Sequence, residues 1–195
     1  VTRLLDALFL DRDGTLIVER DFLRDPKGVR LTRGAGRALQ PYAAAGTKLF
    51  VVTNQSGIAR GKLTWEDVHA VNSEVQRRLS RFHLAIEEFL ICPHFPDGVI
   101  SRYAVSCRCR KPGTALHEEA VARYRLTPAR CAVAGDKWDD VGAGMTMGMW
   151  QVHVLTGHGG DHRALVRDRA PECILASTLA DGLETLARRI EQNPR

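Results

Sequence analysis

No apolar stretch in these 195 residues approaches the ~20 needed to cross a bilayer as a helix. The opening residues, Val1-Thr2-Arg3-Leu4-Leu5-Asp6, lack the apolar core of a secretory leader. The expected location is therefore the cytoplasm, with no membrane partner. The formal net charge is +5, yet lysine and arginine form no long block of the kind that makes a nucleic-acid-binding tail. Arg77, Arg78 and Arg81 read as solvated helix surface, and the mild excess of positive charge suits a small anionic ligand. There is no internal repeat and no low-complexity tract. The length fits one domain, residues 1–195, with a sizeable core.

What is present begins with Leu8-Phe9-Leu10-Asp11-Arg12-Asp13-Gly14-Thr15, an apolar run that stops on two carboxylates and a glycine. Such a run reads as a buried parallel strand, whose carboxyl end is where open α/β sheets bind ligands. Asp11 and Asp13 are two apart and share a side of an extended backbone. Their mutual repulsion is relieved by a divalent metal, although Asp and Gly also suit an ordinary strand-to-turn boundary. Leu49 to Asn54 and Cys131 to Asp136 repeat the pattern of apolar run and polar end, and Arg110-Lys111-Pro112 places two cations before a helix.

Five cysteines are few and unevenly used. Cys131 and Cys173 lie in apolar runs and are expected to be inert core residues. Cys92-x-His94 and, after twelve residues, Cys107-x-Cys109 supply three thiols and an imidazole, a complete tetrahedral zinc set. Free thiols or a disulfide are the alternatives, the latter disfavoured in a reducing compartment. Residues 95–106 carry Pro96, Asp97 and Gly98 and look like an irregular loop that a metal could order.

The carboxylate pair, the hydroxyl of Thr53, Lys111 and Asp136, in that chain order, resemble the four motifs of the haloacid dehalogenase superfamily over most of the chain. The zinc-type loop (92–109) directly before Arg-Lys-Pro resembles the heptose bisphosphate and histidinol phosphate phosphatases of that superfamily. The stretch Thr53-Asn54-Gln55-Ser56-Gly57-Ile58-Ala59-Arg60-Gly61 leans towards the heptose branch, because Arg60 offers a cation for a second phosphate. Phe22 departs from the pattern, since some heptose enzymes carry tyrosine there.

The resemblance implies a Mg²⁺-dependent phosphatase that removes the C7 phosphate of a D-glycero-D-manno-heptose 1,7-bisphosphate. A phosphomonoester needs an activated nucleophile and charge stabilisation, and Asp11 is the candidate nucleophile. Asp13 is the candidate acid and base, and Asp11, the Asp13 carbonyl and Asp136 are the candidate Mg²⁺ ligands. Zinc on Cys92, His94, Cys107 and Cys109 is expected to be structural, because four protein ligands leave no open position. Thr53, Asn54, Gln55, Ser56, Arg60, Arg110, Lys111 and Lys137 form the expected phosphate- and substrate-binding set. Asp140 is expected to orient ligands, and Asp139 to serve as a helix N-terminal charge. The expected partner is a small phosphorylated sugar, without nucleic acid, bound by a monomer. Histidinol phosphate phosphatase, a nucleic-acid 3′-phosphatase and an inactive zinc-stabilised binding module are the alternatives.

The fold expected is α/β, a doubly wound parallel sheet without a large cap. Helices are expected over Thr32–Gly46, from Thr64 with a stripe of Val68, Val71, Val75, Leu79 and Phe82, over Thr114–Tyr124 and over Leu179–Ile190. Strands are expected at Glu88–Cys92, Trp150–Leu155 and Cys173–Leu175. The glycine-rich, charged stretch after Gly157 carries no expected element.

Overall fold

In the computed structural model, residues 5–193 are described; Val1–Leu4, read above as lacking a leader core, lie outside that range. Six parallel strands form one sheet: β1 (Ala7–Leu10), β2 (Lys48–Asn54), β3 (Glu88–Cys92), β4 (Cys131–Gly135), β5 (Trp150–Val154) and β6 (Ile174–Ala176). Their spatial order is β3-β2-β1-β4-β5-β6, the doubly wound order whose reversal point opens a crevice beyond the strand ends. β1 sits at the centre and pairs in parallel with β2 and β4. All four of its residues are buried. A strand covered on both faces has no solvent side, so its sequence is continuously apolar rather than alternating.

Among the described residues six α-helices cover the sheet: α1 (Ala35–Ala44), α2 (Trp65–Leu79), α3 (Ala115–Tyr124), α4 (Trp138–Thr146), α5 (Gly159–Arg169) and α6 (Leu179–Gln192). On one face α1, α2 and α6 enclose the larger core of Leu8, Leu10, Leu39, Val71, Leu79, Val152 and Leu183. The Tyr42 hydroxyl donates to Leu183 O at 2.6 Å and ties α1 to α6. On the other face Phe9 stacks on Phe50 with ring centroids 5.0 Å apart, and Ala120 of α3 closes over them. Thr64 and Asp67 form a reciprocal capping box at the start of α2.

Three expectations are corrected. α1 starts at Ala35 rather than Thr32, because the Thr32 hydroxyl donates to Thr15 O at 2.7 Å and braces the loop after β1 instead of capping a helix. α2 ends at Leu79, and Phe82 lies in a following 3₁₀ turn that His83 closes with a left-handed backbone. α5 is a helix of eleven residues where none was expected. Gly159 and Gly160 depress its intrinsic propensity, and only Gly159 and Val166 are buried. It presents no apolar stripe to read. Gly159 is required by packing, since a Cβ there would meet Val154 O at 1.8 Å.

Among the described residues no inserted domain separates β1 from β2, and the cleft is roofed by the loop after β1. That loop carries Phe22 at φ 48°, a conformation that costs a non-glycine residue roughly 1–2 kcal/mol. The Phe22 ring packs where a Cβ on Gly57 would sit.

Candidate active site

The carboxyl ends of β2, β1 and β4 lie side by side, so Thr53, Asp11 and Asp136 come together although 125 residues separate Asp11 from Asp136. They meet at the floor of an open, solvent-facing cleft whose lining includes Asp11, Asp13, Thr53 and Lys111.

Lys111 is buried and organises the floor. Its Nζ donates to Asp11 Oδ1 at 2.7 Å, to Asp140 Oδ1 at 2.6 Å and to Val52 O at 2.5 Å. Burial works against the ammonium, but Asp11 and Asp140 more than reverse this and raise its pKa. One lysine does not balance the acids around it. Burial pushes Asp11 well above the ordinary carboxylate range, opposed by Lys111 and assisted by Asp140, Asp136 and Asp13. Burial, then Asp140, brings Asp136 up to about 6. Such a cluster gains from a further cation.

Ligand oxygens of Asp11, Asp136 and Asp140 lie within 4.8 Å of one another. Asp136 is fully buried; its Oδ2 accepts from the His158 backbone N–H at 2.7 Å, whereas Oδ1 has no hydrogen-bond partner. A buried, unpartnered carboxylate oxygen in an acid-rich cluster is the donor set a hard divalent ion takes. Asp140 differs, since Lys111 occupies its Oδ1 and the Lys137 backbone N–H its Oδ2, at 3.1 Å. It orients Lys111 and the start of α4. The approach to Asp136 also demands two glycines. A Cβ on Gly14 or on Gly157 would lie 2.3 Å from Asp136 Oδ2, and both residues have positive φ.

Asp13 is held by one oxygen. Its Oδ2 accepts from Arg12 (Nη2 at 2.8 Å, Nε at 3.0 Å) and from Gln55 Nε2 at 2.8 Å, while its buried Oδ1 has no partner. Arg12 is itself buried and donates to Asn72 Oδ1 on α2 at 2.8 Å. Sequence reasoning passed over Arg12. The available signal was an arginine between two acids in an otherwise apolar strand end. Gln55 also donates to the Thr53 hydroxyl at 2.8 Å.

The other expected contacts divide. Ser56 and Lys137 line the cleft. The Asn54 side chain is spent on the backbone of Lys111, accepting from its N–H at 3.0 Å and donating to its carbonyl at 3.1 Å. Arg60 and Arg110 stand off the cleft wall beside the ring of Phe95, with guanidinium carbons 3.7 and 5.4 Å from its centroid. Asp139 lies in the first turn of α4 and faces the cleft. Glu19 and His158 also line it and were not anticipated. Glu19 is drawn in by the loop after β1, and its pKa is raised by burial and then by Asp13.

The second cluster lies beyond β3. All five cysteines are free, so the disulfide alternative fails. The Sγ atoms of Cys92, Cys107 and Cys109 are 3.1–3.6 Å apart, and His94 Nδ1 lies 3.2 Å from Cys109 and 3.8 Å from Cys92. Four ligands on a tetrahedron with metal–sulfur bonds of about 2.3 Å would be roughly 3.7 Å apart. The donor set, its size and its closure fit a structural zinc.

Known proteins resemble this chain throughout. A HAD-hydrolase-like family model matches residues 108–181. The D-glycero-beta-D-manno-heptose-1,7-bisphosphate 7-phosphatase of Mesorhizobium japonicum is 35% identical over 185 residues, 94% of this chain and 85% of that protein. The protein of the same name from Haemophilus ducreyi is 33% identical over 153 residues, 77% and 84% respectively. A crystal structure of D,D-heptose 1,7-bisphosphate phosphatase from B. bronchiseptica, complexed with magnesium and phosphate, superposes with a TM-score of 0.82 at 26% identity, covering 95% of this chain and 99% of that one.

Proposed function

The chain belongs to the D-glycero-D-manno-heptose-1,7-bisphosphate 7-phosphatase family of HAD-like hydrolases, and from that premise we propose that it removes the C7 phosphate of such a bisphosphate. The observation that carries the reading is the division of labour between two carboxylates. Asp11 is held by Lys111 at the cleft floor, and Asp13 is held by one oxygen with the other free.

In the proposed reaction the Asp11 carboxylate attacks phosphorus and forms an aspartyl phosphate. Asp13 Oδ1, the oxygen without a partner, delivers a proton to the departing C7 oxygen, and then takes one from the water that cleaves the acyl phosphate. Inorganic phosphate leaves and Asp11 returns as the carboxylate. Lys111, the Thr53 hydroxyl and neighbouring backbone amides stabilise the transferring oxygens. Asp11, the Asp13 carbonyl and Asp136 would hold Mg²⁺, which neutralises the repulsion between carboxylate and phosphate. Arg12 and Gln55 keep Asp13 in place, and Asp140 keeps Lys111 in place.

Arg60 and Arg110 have no carboxylate within salt-bridge distance among the described residues. Two such cations near the cleft suit the C1 phosphate better than the cationic amine of histidinol phosphate. The zinc loop is proposed to carry a structural Zn²⁺. The chain is proposed to act as a single-domain monomer in the cytoplasm, whose reducing conditions suit free cysteines. No described helix is long and apolar enough to cross a membrane.

A phosphate-release screen tests the reading. With Mg²⁺, both anomers of the heptose 1,7-bisphosphate, histidinol phosphate and a 3′-phosphorylated oligonucleotide are compared. The highest kcat/KM should fall on a heptose bisphosphate. A higher value for either of the other substrates would overturn the assignment.

A further inference from the structure

We propose that Phe95 is a positioning residue, a single aromatic platform on which Arg60 and Arg110 are set for the phosphate that is not cleaved. The proposal rests on the bisphosphate reading above. The Arg60 guanidinium carbon lies 3.7 Å from the ring centroid and that of Arg110 5.4 Å. Both distances are within the ~6 Å range of cation–π attraction.

The chain around the ring is tied down at each component. Phe95 directly follows the cluster residue His94, and Arg110 directly follows Cys109. Arg110 Nη1 donates to His94 O at 3.3 Å. Residue 59, immediately before Arg60, is gripped by the same loop: Ala59 O accepts from Val99 N at 2.8 Å and from Ile100 N at 2.9 Å. The contact is close enough that a Cβ on Gly98 would meet Ala59 O at 2.7 Å. Phe95 is only partly buried and belongs to none of the core clusters. Its ring does not serve to fill the core.

Two like-charged guanidinium groups beside one another repel. A ring that attracts both groups offsets part of that cost while leaving N–H donors available to an anion. Arg110 also acts on Asp139, a cleft-lining carboxylate whose pKa is raised first by burial and next by Asp140, against which Arg110 and Lys111 pull it down. Lys111, next to Arg110, and Gly57, three residues before Arg60, line the cleft, so the platform adjoins its wall, where a second anionic group of a substrate extending from Asp11 would arrive.

The test uses Phe95→Leu, which keeps an apolar side chain and removes the ring, and Phe95→Tyr, which keeps the ring. For Phe95→Leu the KM for heptose 1,7-bisphosphate should rise about 3- to 30-fold, the range expected for loss of a cation–π contact. The KM for heptose 7-phosphate should rise much less, and Phe95→Tyr should restore both. Equal KM changes on the two substrates would overturn the proposal. Side-chain NMR supplies a readout independent of turnover. Protons of Arg60 and Arg110 should show upfield ring-current shifts in the wild type and in Phe95→Tyr, lost together in Phe95→Leu. Absence of those shifts in the wild type would overturn the platform by itself. If the wild type hydrolyses no heptose bisphosphate, the functional reading fails, and the NMR shifts still decide the platform. Should Phe95→Leu not fold, the same KM comparison made on Phe95→Tyr and Arg60→Ala decides it. Tyr at wild-type values with Arg60→Ala impaired only on the bisphosphate supports the platform, and Arg60→Ala without that selectivity overturns it.

Discussion

Replacing Gly157 with alanine puts a single methyl group against the Asp136 carboxylate, the proposed Mg²⁺ ligand, and the structure sets its cost. The new Cβ would lie 2.3 Å from Asp136 Oδ2 and 2.6 Å from the Cα of Gly14, in a backbone with φ +55°. Left-handed backbone at a non-glycine residue costs roughly 1–2 kcal/mol, and forcing extra volume into a packed site roughly 1–3 kcal/mol. The sum, about 2–5 kcal/mol, corresponds to a fall in Tm of about 4–20 °C for a chain of this size. The Asp136 carboxylate is held by the His158 N–H at 2.7 Å. It must turn to escape the methyl group, and this carries Oδ1 away from its position in the acid cluster. Half-saturation by Mg²⁺ in the phosphatase assay should therefore rise at least about tenfold, an affinity loss of about 1.4 kcal/mol. Gly148→Ala separates strain from crowding. It has φ +68° but nothing within 4 Å of the added atom. It should lower Tm modestly and leave the Mg²⁺ dependence as in the wild type. A Gly157→Ala protein with wild-type Mg²⁺ half-saturation, or an equal Mg²⁺ effect from Gly148→Ala, would refute the argument.

Asp11→Asn keeps the shape of the nucleophile without its charge and should abolish turnover with the fold retained. Asp13→Asn should slow turnover by roughly 10²- to 10⁴-fold; near-normal steady-state rates in either variant would sink the proposed roles. Metal analysis of reduced, purified protein should find about one zinc per chain, resistant to a mild chelator that removes magnesium. Cys107→Ser should lower both zinc content and Tm; a zinc-free wild type would refute the structural site. Because Asp136 is held up from 3.8 to about 6 by burial and Asp140, its protonated form favours the native state. In EDTA the Tm difference between wild type and Asp136→Asn should fall as pH rises from about 4 to about 6, and Mg²⁺ should reverse the fall. A difference independent of pH across that window would contradict the assignment.

The elements that sequence pattern revealed are those whose burial is one-sided or complete. β1 reads as continuous apolar residues because β2 and β4 flank it, and α2 announces itself by a periodic stripe and a capping box. α5 was illegible because it buries almost nothing and starts on two glycines. At the site, Asp11, Thr53, Lys111 and Asp136 stand at strand ends or before a helix, where local pattern marks them. Arg12 could have been noticed as an arginine between two acids, but not its use, because its partner Asn72 is sixty residues away. Asn54 was found but its use was not. Its side chain clamps the Lys111 backbone, a contact between the end of β2 and a loop 57 residues further on. Gly14 was read as a turn residue, whereas the structure adds a second reason, the close passage of Asp136.

The central claim is that this chain cleaves at C7 and spares C1, and ³¹P NMR of the reaction tests it most directly. With Mg²⁺ and D-glycero-D-manno-heptose 1,7-bisphosphate, the C7 resonance should disappear in step with the growth of inorganic phosphate, while the anomeric C1 resonance persists at full intensity. Loss of the C1 resonance first, or persistence of both with no phosphate released, would contradict the account.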